Sequence, residues 1–417
     1  MIRKVHWSNL GLPLLAASLL FASGCQGSGG NANTTLPSES QTASNSASGS
    51  VPSSSPSDTS SSPAASPSSP AEPSSSSAPS SSAGQLPTGA VTALRLANDR
   101  IGWAGGDGWI ARTDDGGKSW KVQYSQSSPV VQIFALNDRQ VWATLDTESS
   151  KGLQLIRSTD GGDSWSEAGV VPDNGFLHFR SEKEGFSGSS RTTDGGATWA
   201  TPREPEGLIG DVYFHDAKNG WAVRKGSGKF EFLHSADDGK TWTVVFTRES
   251  EVVPTNAVIR STGGNDVWIE LIGDSGMTQT SYSLFHTSDG GKSWTPVLVK
   301  NGAGSGPAPG FTMDDKNKPA DGLGTSPGDL YVVDPKTAIA GGQCQACDTP
   351  NTLVRTTDGG KSWTAVKDEF PGYGQQLLAA TDADHIWLVA NDSSEPSALF
   401  TSDDGGATWS RVHEFSR

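Results

Sequence analysis

The chain has 417 residues, and its 46 acidic against 31 basic residues give a formal net charge of −15. This excess of acid, without a continuous basic groove, argues against a nucleic-acid-binding protein. After the N-terminal segment no apolar run reaches the roughly 18–20 residues that cross a bilayer. The body of the protein is therefore predicted to lie outside the membrane rather than within it.

The N-terminal segment has the features of an export signal. Two basic residues precede an apolar run at 10–21, and Ala22-Ser23-Gly24-Cys25 follows. Small residues directly before a cysteine resemble the lipobox of bacterial lipoproteins, with Ala22 in the place of the usual Leu. We predict a lipoprotein signal peptide over 1–25, with Cys25 lipidated and anchored at the outer face of the cell membrane. An ordinary secretory signal is the alternative.

Residues 26–87 consist almost entirely of Ser, Pro, Ala, Gly and Thr and contain no aromatic residue. A segment of this composition cannot bury enough apolar surface to offset the entropy lost on ordering, so we predict that it is disordered. Its Pro and Ser content favours an extended tether. The predicted role of this linker is to hold the following domain away from the membrane.

One eight-residue pattern, Ser/Thr-x-Asp-x-Gly-x-Ser/Thr-Trp, organises the rest of the chain, and we call it the Asp-box turn. It occurs seven times, at 113–120, 158–165, 192–199, 235–242, 287–294, 356–363 and 402–409. Short hydroxyl and carboxylate side chains hold tight turns closed by bonding backbone N–H groups, and Gly supplies a positive φ. The pattern therefore predicts seven identical turns, each followed by a Trp that starts the next strand and buries its ring.

The acidic residue of the turn is interpreted as structural rather than catalytic, because seven copies indicate construction of the fold. A calcium loop is the alternative, but the turn lacks the 1-3-5-12 ligand spacing and the closing Glu, so no metal or cofactor is predicted. The predicted structural residues are Asp115, Asp160, Asp194, Asp237, Asp289, Asp358, Asp404, Trp120, Trp165, Trp199, Trp242, Trp294, Trp363 and Trp409.

The spacing of the turns indicates a propeller. Seven copies leave roughly 47 residues per repeat, which suits four short strands. A second aromatic residue recurs after a polar turn, as in Trp103 and Trp142, with Phe186 and Ile339 in its place in the third and sixth repeats. No helical periodicity of useful length is present. We predict an all-β, seven-bladed β-propeller of four-stranded blades over 88–417.

In such blades the Asp-box turns share one face, and the connections between strands two and three and between blades share the other. Length variation collects on the second face, at 144–153, 270–282, 342–352 and the long loop 299–328. Variable loops on a fixed scaffold commonly carry binding. The second face near the fifth and sixth blades is therefore the preferred interaction surface, and a tolerated insertion is the alternative.

Two further features concern cysteine and arginine. Cys344 and Cys347 are expected to form a disulfide in an oxidising compartment, because no helix is available to support a redox pair.

The residue before the Asp-box turn is often basic, as in Arg112, Arg157, Arg191 and Arg355. These arginines either bond the neighbouring turn or form a basic strip that docks an acidic partner; both interpretations remain open.

Residues 353–363 and the segment that opens with Gly220-Trp221 resemble the photosystem II stability/assembly factor family. The resemblance covers roughly 90–415 and implies a seven-bladed Asp-box/BNR-repeat propeller, in a family whose cyanobacterial members are often lipoproteins. It also implies a non-enzymatic chaperone or scaffold that holds a membrane protein during assembly through basic surface residues. The expected partner is thus a protein at the membrane or in the cell envelope.

The Asp-box turn also occurs in sialidases, so a carbohydrate-binding module or glycoside hydrolase of the cell envelope is the alternative function. Those enzymes have an Arg-Ile-Pro segment and a Tyr-Glu pair, and this chain has neither an Arg-Ile-Pro segment nor an assignable Glu partner for its five tyrosines. A pair of catalytic carboxylates remains open among the many acidic residues. The sequence favours a protein that is not an enzyme and leaves a glycan ligand possible.

Overall fold

The computed structural model describes residues 87–348 and 350–416. The predicted signal peptide with Cys25, and nearly all of the predicted linker 26–87, lie outside these residues. The described part of the chain contains strands and no α-helix, in agreement with the all-β prediction. It accordingly offers no helix that could cross a membrane.

Twenty-six strands follow one another along the described residues. They are β1 Val91–Leu96, β2 Gly102–Thr113, β3 Lys121–Ala135, β4 Val141–Leu145, β5 Leu153–Ser158, β6 Ser166–Val171, β7 Leu177–Phe179, β8 Gly185–Ser187, β9 Ser190–Thr192, β10 Tyr213–Asp216, β11 Asn219–Gly226, β12 Lys229–Ser235, β13 Thr243–Glu249, β14 Asn256–Gly263, β15 Asp266–Gly276, β16 Gln279–Thr287, β17 Thr295–Lys300, β18 Ala320–Asp321, β19 Ser326–Val332, β20 Ala338–Gln343, β21 Asn351–Thr356, β22 Thr364–Ala365, β23 Gln376–Ala380, β24 Ile386–Ala390, β25 Ala398–Ser402 and β26 Ser410–Glu414.

The strands form six hydrogen-bonded sheets, so the prediction of seven separate four-stranded blades is wrong. The sheets are β1–β6, β7–β9, β10–β13, β14–β18, β19–β22 and β23–β26. The first two repeats share one sheet because β3 runs without a break from its pairing with β2 into its pairing with β4. The third repeat has three strands, since Ala200 makes only an isolated bridge to Arg191 where a fourth strand was expected.

Each of the seven repeats nevertheless begins with one strand that lines the centre of the propeller, which we call its inner strand, and these strands share the same register: β1, β3, β7, β10, β14, β19 and β23. One residue of each inner strand pairs with the residue eight positions later, on the following strand or, in the first repeat, on the first half of β2. These pairs are Arg95–Trp103, Phe134–Trp142, His178–Phe186, Tyr213–Trp221, Arg260–Trp268, Tyr331–Ile339 and Ala379–Trp387. The repeats of the sequence are therefore repeats of the structure, although they are distributed over six sheets.

The second-strand aromatics form the deepest layer of the fold. Trp103, Trp142, Trp221, Trp268 and Trp387 are at most 1% exposed, as are Phe186 and Ile339 in the same position. The Trp of the Asp-box turn is buried only in the first two repeats, at Trp120 and Trp165, and is half-buried in the others. The expectation of full burial therefore holds for the second-strand residue and only partly for the Trp of the turn.

A single hydrogen-bond network holds every Asp-box turn closed. In the first repeat the Thr113 hydroxyl donates to Asp115 Oδ1 at 2.9 Å and accepts the Gly117 N–H at 3.0 Å. Asp115 also accepts the N–H and the hydroxyl of Ser119, at 2.9 and 2.6 Å. The other six turns repeat these bonds with the same atoms.

The turns also bond to the preceding connection within their own repeat, which fixes their position. Gly116 N–H donates to Arg100 O at 3.0 Å, and equivalent bonds occur in five further repeats. In the fourth repeat Asp238 replaces the first glycine of the turn and adopts a φ of 66°. All seven Asp-box turns consequently lie on one face, together with the connections between first and second strands.

The ring closes between the last repeat and the first. The buried side chain of Asn391 accepts the Val91 N–H at 3.0 Å and donates to Val91 O at 2.8 Å. Gly89 N–H donates to Ser416 O at 2.6 Å, and Phe415 is fully buried against Trp109 and Trp120. Backbone bonds, a buried amide and aromatic packing thus join the two ends of the described chain.

The segment predicted as the long loop 299–328 is folded onto the body of the protein. β18 within it pairs with β17, and Ala308 and Phe311 are buried in the core of the fourth and fifth repeats. Arg248 Nε donates to Gly310 O at 2.7 Å, and its guanidinium lies 4.5 Å from the Phe311 ring centroid. The insertion is therefore a built surface rather than a free loop.

Replacing Trp268 by Ala is expected to lower the free energy of unfolding by about 3–5 kcal/mol, the usual cost of truncating a buried Trp. Trp268 is fully buried and stacks on His286 at 3.9 Å. Chemical denaturation measures the loss. Trp268→Phe is the matched control and should cost less, because Phe fills the same position at Phe186 and the Trp268 N–H has no partner. A loss under about 1 kcal/mol for Trp268→Ala would contradict the packing described.

Replacing Asp358 by Asn should make the free energy of unfolding less dependent on pH between pH 4 and pH 2. Hydrogen bonds from the Ser362 hydroxyl and N–H, and from Thr356, lower the pKa of Asp358 to about 2. A lowered pKa stabilises the fold above the ordinary value of 3.8, and this stabilisation is lost as the pH falls towards 2. Denaturation curves should show wild type more stable than Asp358→Asn at pH 6, with the difference shrinking between pH 4 and 2. The exposed Asp163→Asn should behave like wild type throughout.

Candidate functional site

The predicted basic strip lies at the contacts between consecutive repeats. Arg112 stacks over Trp103 at 5.1 Å and donates to Asp138 O and Gly161 O of the next repeat, at 2.9 and 2.8 Å. Arg157 and Arg191 make equivalent contacts to the following repeat, with Glu182 at 3.5 Å and Asp238 at 2.9 Å.

In the sixth repeat Arg355 donates to Ala383 O of the seventh at 2.8 Å. The four guanidinium groups thus bond the neighbouring repeat, which is the scaffold interpretation that the sequence left open. Their role in docking a partner stays a prediction.

The two cysteines of the sixth repeat lie at the opposite face. Cys344 and Cys347 are joined in a disulfide with a Cα–Cα distance of 5.4 Å. The hydroxyl of Tyr373, in the connection to the seventh repeat, donates to Cys347 O at 3.2 Å. The disulfide loop is thereby held against the neighbouring connection.

Exposed apolar side chains concentrate on the face opposite the Asp-box turns. Of the six large apolar residues that are most exposed in the described chain, only Val244 lies beside an Asp-box turn. The other five are Val170, Val253, Met277, Met313 and Tyr373. Met277 is 97% exposed, at the tip of the β15–β16 hairpin. The sequence interval 270–282, predicted as a variable loop, is thus mostly an extended hairpin.

Three segments of this face contact one another and form what we call the insertion surface: 250–255, 276–279 and 301–319. Gly310 N–H donates to Ser250 Oγ at 2.8 Å, which joins the first segment to the third. Gly304 N–H donates to Gln279 Oε1 at 3.3 Å, which joins the second to the third. The exposed residues Val253, Met277 and Met313 therefore stand on one connected surface, one on each segment.

A cavity of about 920 Å³ lies on the axis of the propeller. Its wall comes from all seven inner strands, β1, β3, β7, β10, β14, β19 and β23. Each inner strand has one residue that pairs with the buried second-strand aromatic or with Ile339. In six repeats this residue lines the cavity: Arg95, Phe134, His178, Tyr213, Arg260 and Tyr331. In the seventh repeat the equivalent Ala379 is fully buried. The wall is therefore aromatic and basic at this level.

Burial raises the pKa values of two acidic groups near the cavity. Burial, and then the charge of Asp329, raise the pKa of Glu270 to about 8. Burial also raises the pKa of Asp329, although the Arg260 guanidinium and the Leu378 N–H, which donates to Asp329 Oδ2 at 2.9 Å, act in the opposite direction. Burial lowers the pKa of His178 to about 4. Near pH 7 the positive charge of the cavity therefore comes from arginine.

Sequence reasoning missed the residues of this cavity. A signal for them exists, because each inner-strand residue stands eight positions before the second-strand aromatic or its Ile339 substitute. It does not stand out in the sequence, because recurring residue types are what mark a repeat. This position holds a different residue type in most repeats.

Comparison with known proteins agrees with the fold. The family model for the BNR/Asp-box repeat matches residues 400–411, which include the last of the seven turns. The chain is a β-propeller with BNR/Asp-box repeats. The finer assignment to photosystem II stability/assembly factors stays a prediction.

A xyloglucanase of Paenibacillus sp is 25% identical over 307 residues, which cover 61% of this chain and 27% of that enzyme. The chain therefore spans about a quarter of the length of this curated relative. The GH74 xyloglucanase from Xanthomonas campestris is a structural neighbour with a TM-score of 0.50, 16% identity, and coverage of 78% of this chain and 53% of that chain.

YCF48 bound to D1 peptide matches with a TM-score of 0.45 and 16% identity, over 78% of this chain and 92% of that chain. At these identities the similarity to solved structures shows the fold alone.

Replacing Glu270 by Gln should stabilise the protein, increasingly as the pH rises. The raised pKa means that folding keeps Glu270 protonated, so its contribution is complete below pH 4.5 and is lost up to about pH 8. Gln cannot ionise and so removes a slope of up to about 1.4 kcal/mol per pH unit. Denaturation at pH 5 and pH 8 measures the change. Equal pH dependence in Glu270→Gln and wild type would show that Glu270 ionises as it does in solvent.

Proposed function

We propose that the chain is a non-enzymatic, membrane-anchored propeller outside the cytoplasm that binds a protein partner as a scaffold or assembly factor. This is the function that the resemblance to the photosystem II stability/assembly factor family implies. The observation that carries the proposal is the insertion surface, where Val253, Met277 and Met313 are 47%, 97% and 51% exposed. The partner lies at the membrane or in the cell envelope.

Exposed apolar residues that form a connected surface are typical of protein interaction sites. Here they stand on segments tied to the body by hydrogen bonds and by the buried side chains of Ala308 and Phe311. A surface held in this way is organised before binding, which lowers the entropy lost when a partner docks. Methionine adapts its shape to different apolar neighbours, which suits a recognition surface.

The chemistry of the axial cavity supports a binding role rather than hydrolysis. Hydrolysis of a glycosidic bond by two carboxyl groups requires one that is protonated and one that is ionised. Burial raises the pKa values of both Glu270 and Asp329, which favours the protonated member of such a pair and disfavours its ionised partner. No cofactor enters this proposal.

A carbohydrate-binding module or glycoside hydrolase of the cell envelope is the second candidate function. The 25% identity to a xyloglucanase over 307 residues favours it. This candidate predicts binding of xyloglucan or release of reducing sugar from it. The first candidate predicts neither.

The two candidates are separated by immobilising the full chain and exposing it to detergent-solubilised envelope from the source organism. Wild type should retain a protein partner, and the double variant Met277→Ser/Met313→Ser should retain at least about tenfold less, because the centre of an interface carries most of its binding energy. Val244→Ser is the matched control, since Val244 is 40% exposed beside an Asp-box turn. Equal retention by wild type and the double variant would exclude the insertion surface. Sugar release from xyloglucan without a retained protein would favour the second candidate.

A further inference from the structure

The methionines of the chain are few and lie in one place. The sequence contains Met1, Met277 and Met313, and Met1 begins the predicted signal peptide. The other two both stand on the insertion surface, where they are 97% and 51% exposed. No methionine contributes to the buried core of the described residues. The thioether groups of the folded domain are therefore confined to the surface proposed to bind a protein partner.

The local fold does not require methionine at position 277. Gly276 pairs with Gln279, so Met277 and Thr278 form the two-residue turn of the β15–β16 hairpin. Met277 has a φ of 57°, a left-handed conformation that glycine adopts without strain and that a bulky side chain disfavours. Hairpin turns of this length usually place Gly, Asn or Asp where φ is positive. Because the turn favours a smaller residue and the side chain is almost entirely exposed, folding gives no reason for this methionine.

Both thioethers stand on backbone that is fixed by the rest of the insertion surface. A Cβ on Gly304 would lie 3.4 Å from Met277 Cγ, so the tip of the hairpin lies against the third segment of this surface. Asn301 Nδ2 donates to Thr312 O, directly before Met313, at 3.3 Å. A chemical change at either exposed side chain therefore alters this surface without disturbing the core.

No other sulfur group among the described residues competes for an oxidant. Cys344 and Cys347 are joined in a disulfide, which leaves no free thiol there. Thioethers are converted to sulfoxides by two-electron oxidants, and the susceptibility of a side chain follows its exposure. Met277 should therefore react first and the less exposed Met313 second.

We propose that peroxide-class oxidants convert Met277 and Met313 to methionine sulfoxide and thereby switch the insertion surface from a binding to a non-binding state. A lone pair of each Sδ attacks one oxygen of hydrogen peroxide, and the O–O bond breaks. The transferred hydroxyl passes its proton to the departing hydroxide, so one water is released per sulfoxide formed. Sulfur loses two electrons and the peroxide gains them. The switch rests on the proposed binding of a protein partner, whereas the modification itself does not.

The sulfoxide changes what this surface can bury. A thioether is apolar and adapts its shape to apolar neighbours, whereas a sulfoxide carries a polar oxygen that accepts hydrogen bonds. Burying that oxygen against an apolar partner surface without a donor is unfavourable. Val253 on the same surface has no sulfur and does not react. The two methionines therefore carry the whole effect of the oxidant.

The modification is tested on the full chain without a partner. Hydrogen peroxide is added and then removed with catalase, and mass spectrometry follows the gain of one oxygen in the tryptic peptides 261–292 and 301–316, which separate the two methionines. Met277 should be oxidised faster than Met313, with an unchanged thermal unfolding midpoint.

Retention on phenyl-agarose measures the loss of apolar surface. It should fall when wild type is oxidised. It should not change with peroxide in Met277→Leu/Met313→Leu, because leucine has a similar volume and no sulfur. Protection of both methionines from peroxide, or retention of wild type that peroxide does not alter, overturns the proposal.

The switch is tested with the immobilised full chain and detergent-solubilised envelope from the source organism. Oxidised wild type should retain at least about tenfold less of the protein that unoxidised wild type retains, since two side chains lose their apolar transfer energy. Peroxide should not alter retention by Met277→Leu/Met313→Leu. Equal retention by oxidised and unoxidised wild type overturns the switch and leaves the proposed function intact. A lack of retained protein on unoxidised wild type contradicts the proposed function instead, and phenyl-agarose then decides the modification.

Discussion

Each repeat depends on one buried hydroxyl group. The first residue of every Asp-box turn is at most 2% exposed, whether it is Thr113 or Ser402. Such a group is costly to bury unless its hydrogen bonds are made. The Asp two positions later accepts its proton, and the second Gly of the turn donates to its oxygen. The Asp, the Gly and the hydroxyl are thus one unit, and none of the three is available for other chemistry.

This unit divides the molecule into two functionally different faces. The Asp-box face is closed by short turns whose polar groups bond one another and whose arginines bond the next repeat. The opposite face has no such requirement and accommodates the insertion between the fifth and sixth repeats. The exposed apolar residues of that insertion are a feature that the fold itself does not use. The proposed role in binding a protein partner rests on them.

Local signals made much of the fold predictable from sequence. The Asp-box turns and the second-strand aromatics were both found because each is specified within a few residues. The merging of the first two repeats into one sheet was not predictable, since 124–130 contains Ser, Gln and Pro and looks like a connection. In the structure this segment pairs with β2, where Asp107 stands opposite Pro129. Gly108 permits the close approach of the two strands, since a Cβ there would lie 2.1 Å from Gln126 O.

The candidate site was predicted only in part, for a physical reason. The choice of the face opposite the Asp-box turns follows from strand alternation, which a sequence reveals. Whether Arg112 or Arg95 is paired depends on which residues of other repeats stand beside it, and one repeat considered alone does not contain that information. Arg112 proves to be bonded to the next repeat, whereas the buried Arg95 Nε has no hydrogen-bond partner among the described residues.

The Asp-box face serves the architecture of the fold, and we propose that the opposite face binds the partner. Hydrogen–deuterium exchange of the full chain, alone and with its captured partner, tests this claim most directly. We expect slower exchange on binding in 250–255, 276–279 and 301–319, and unchanged exchange in the seven Asp-box turns. Protection confined to the Asp-box turns would contradict it.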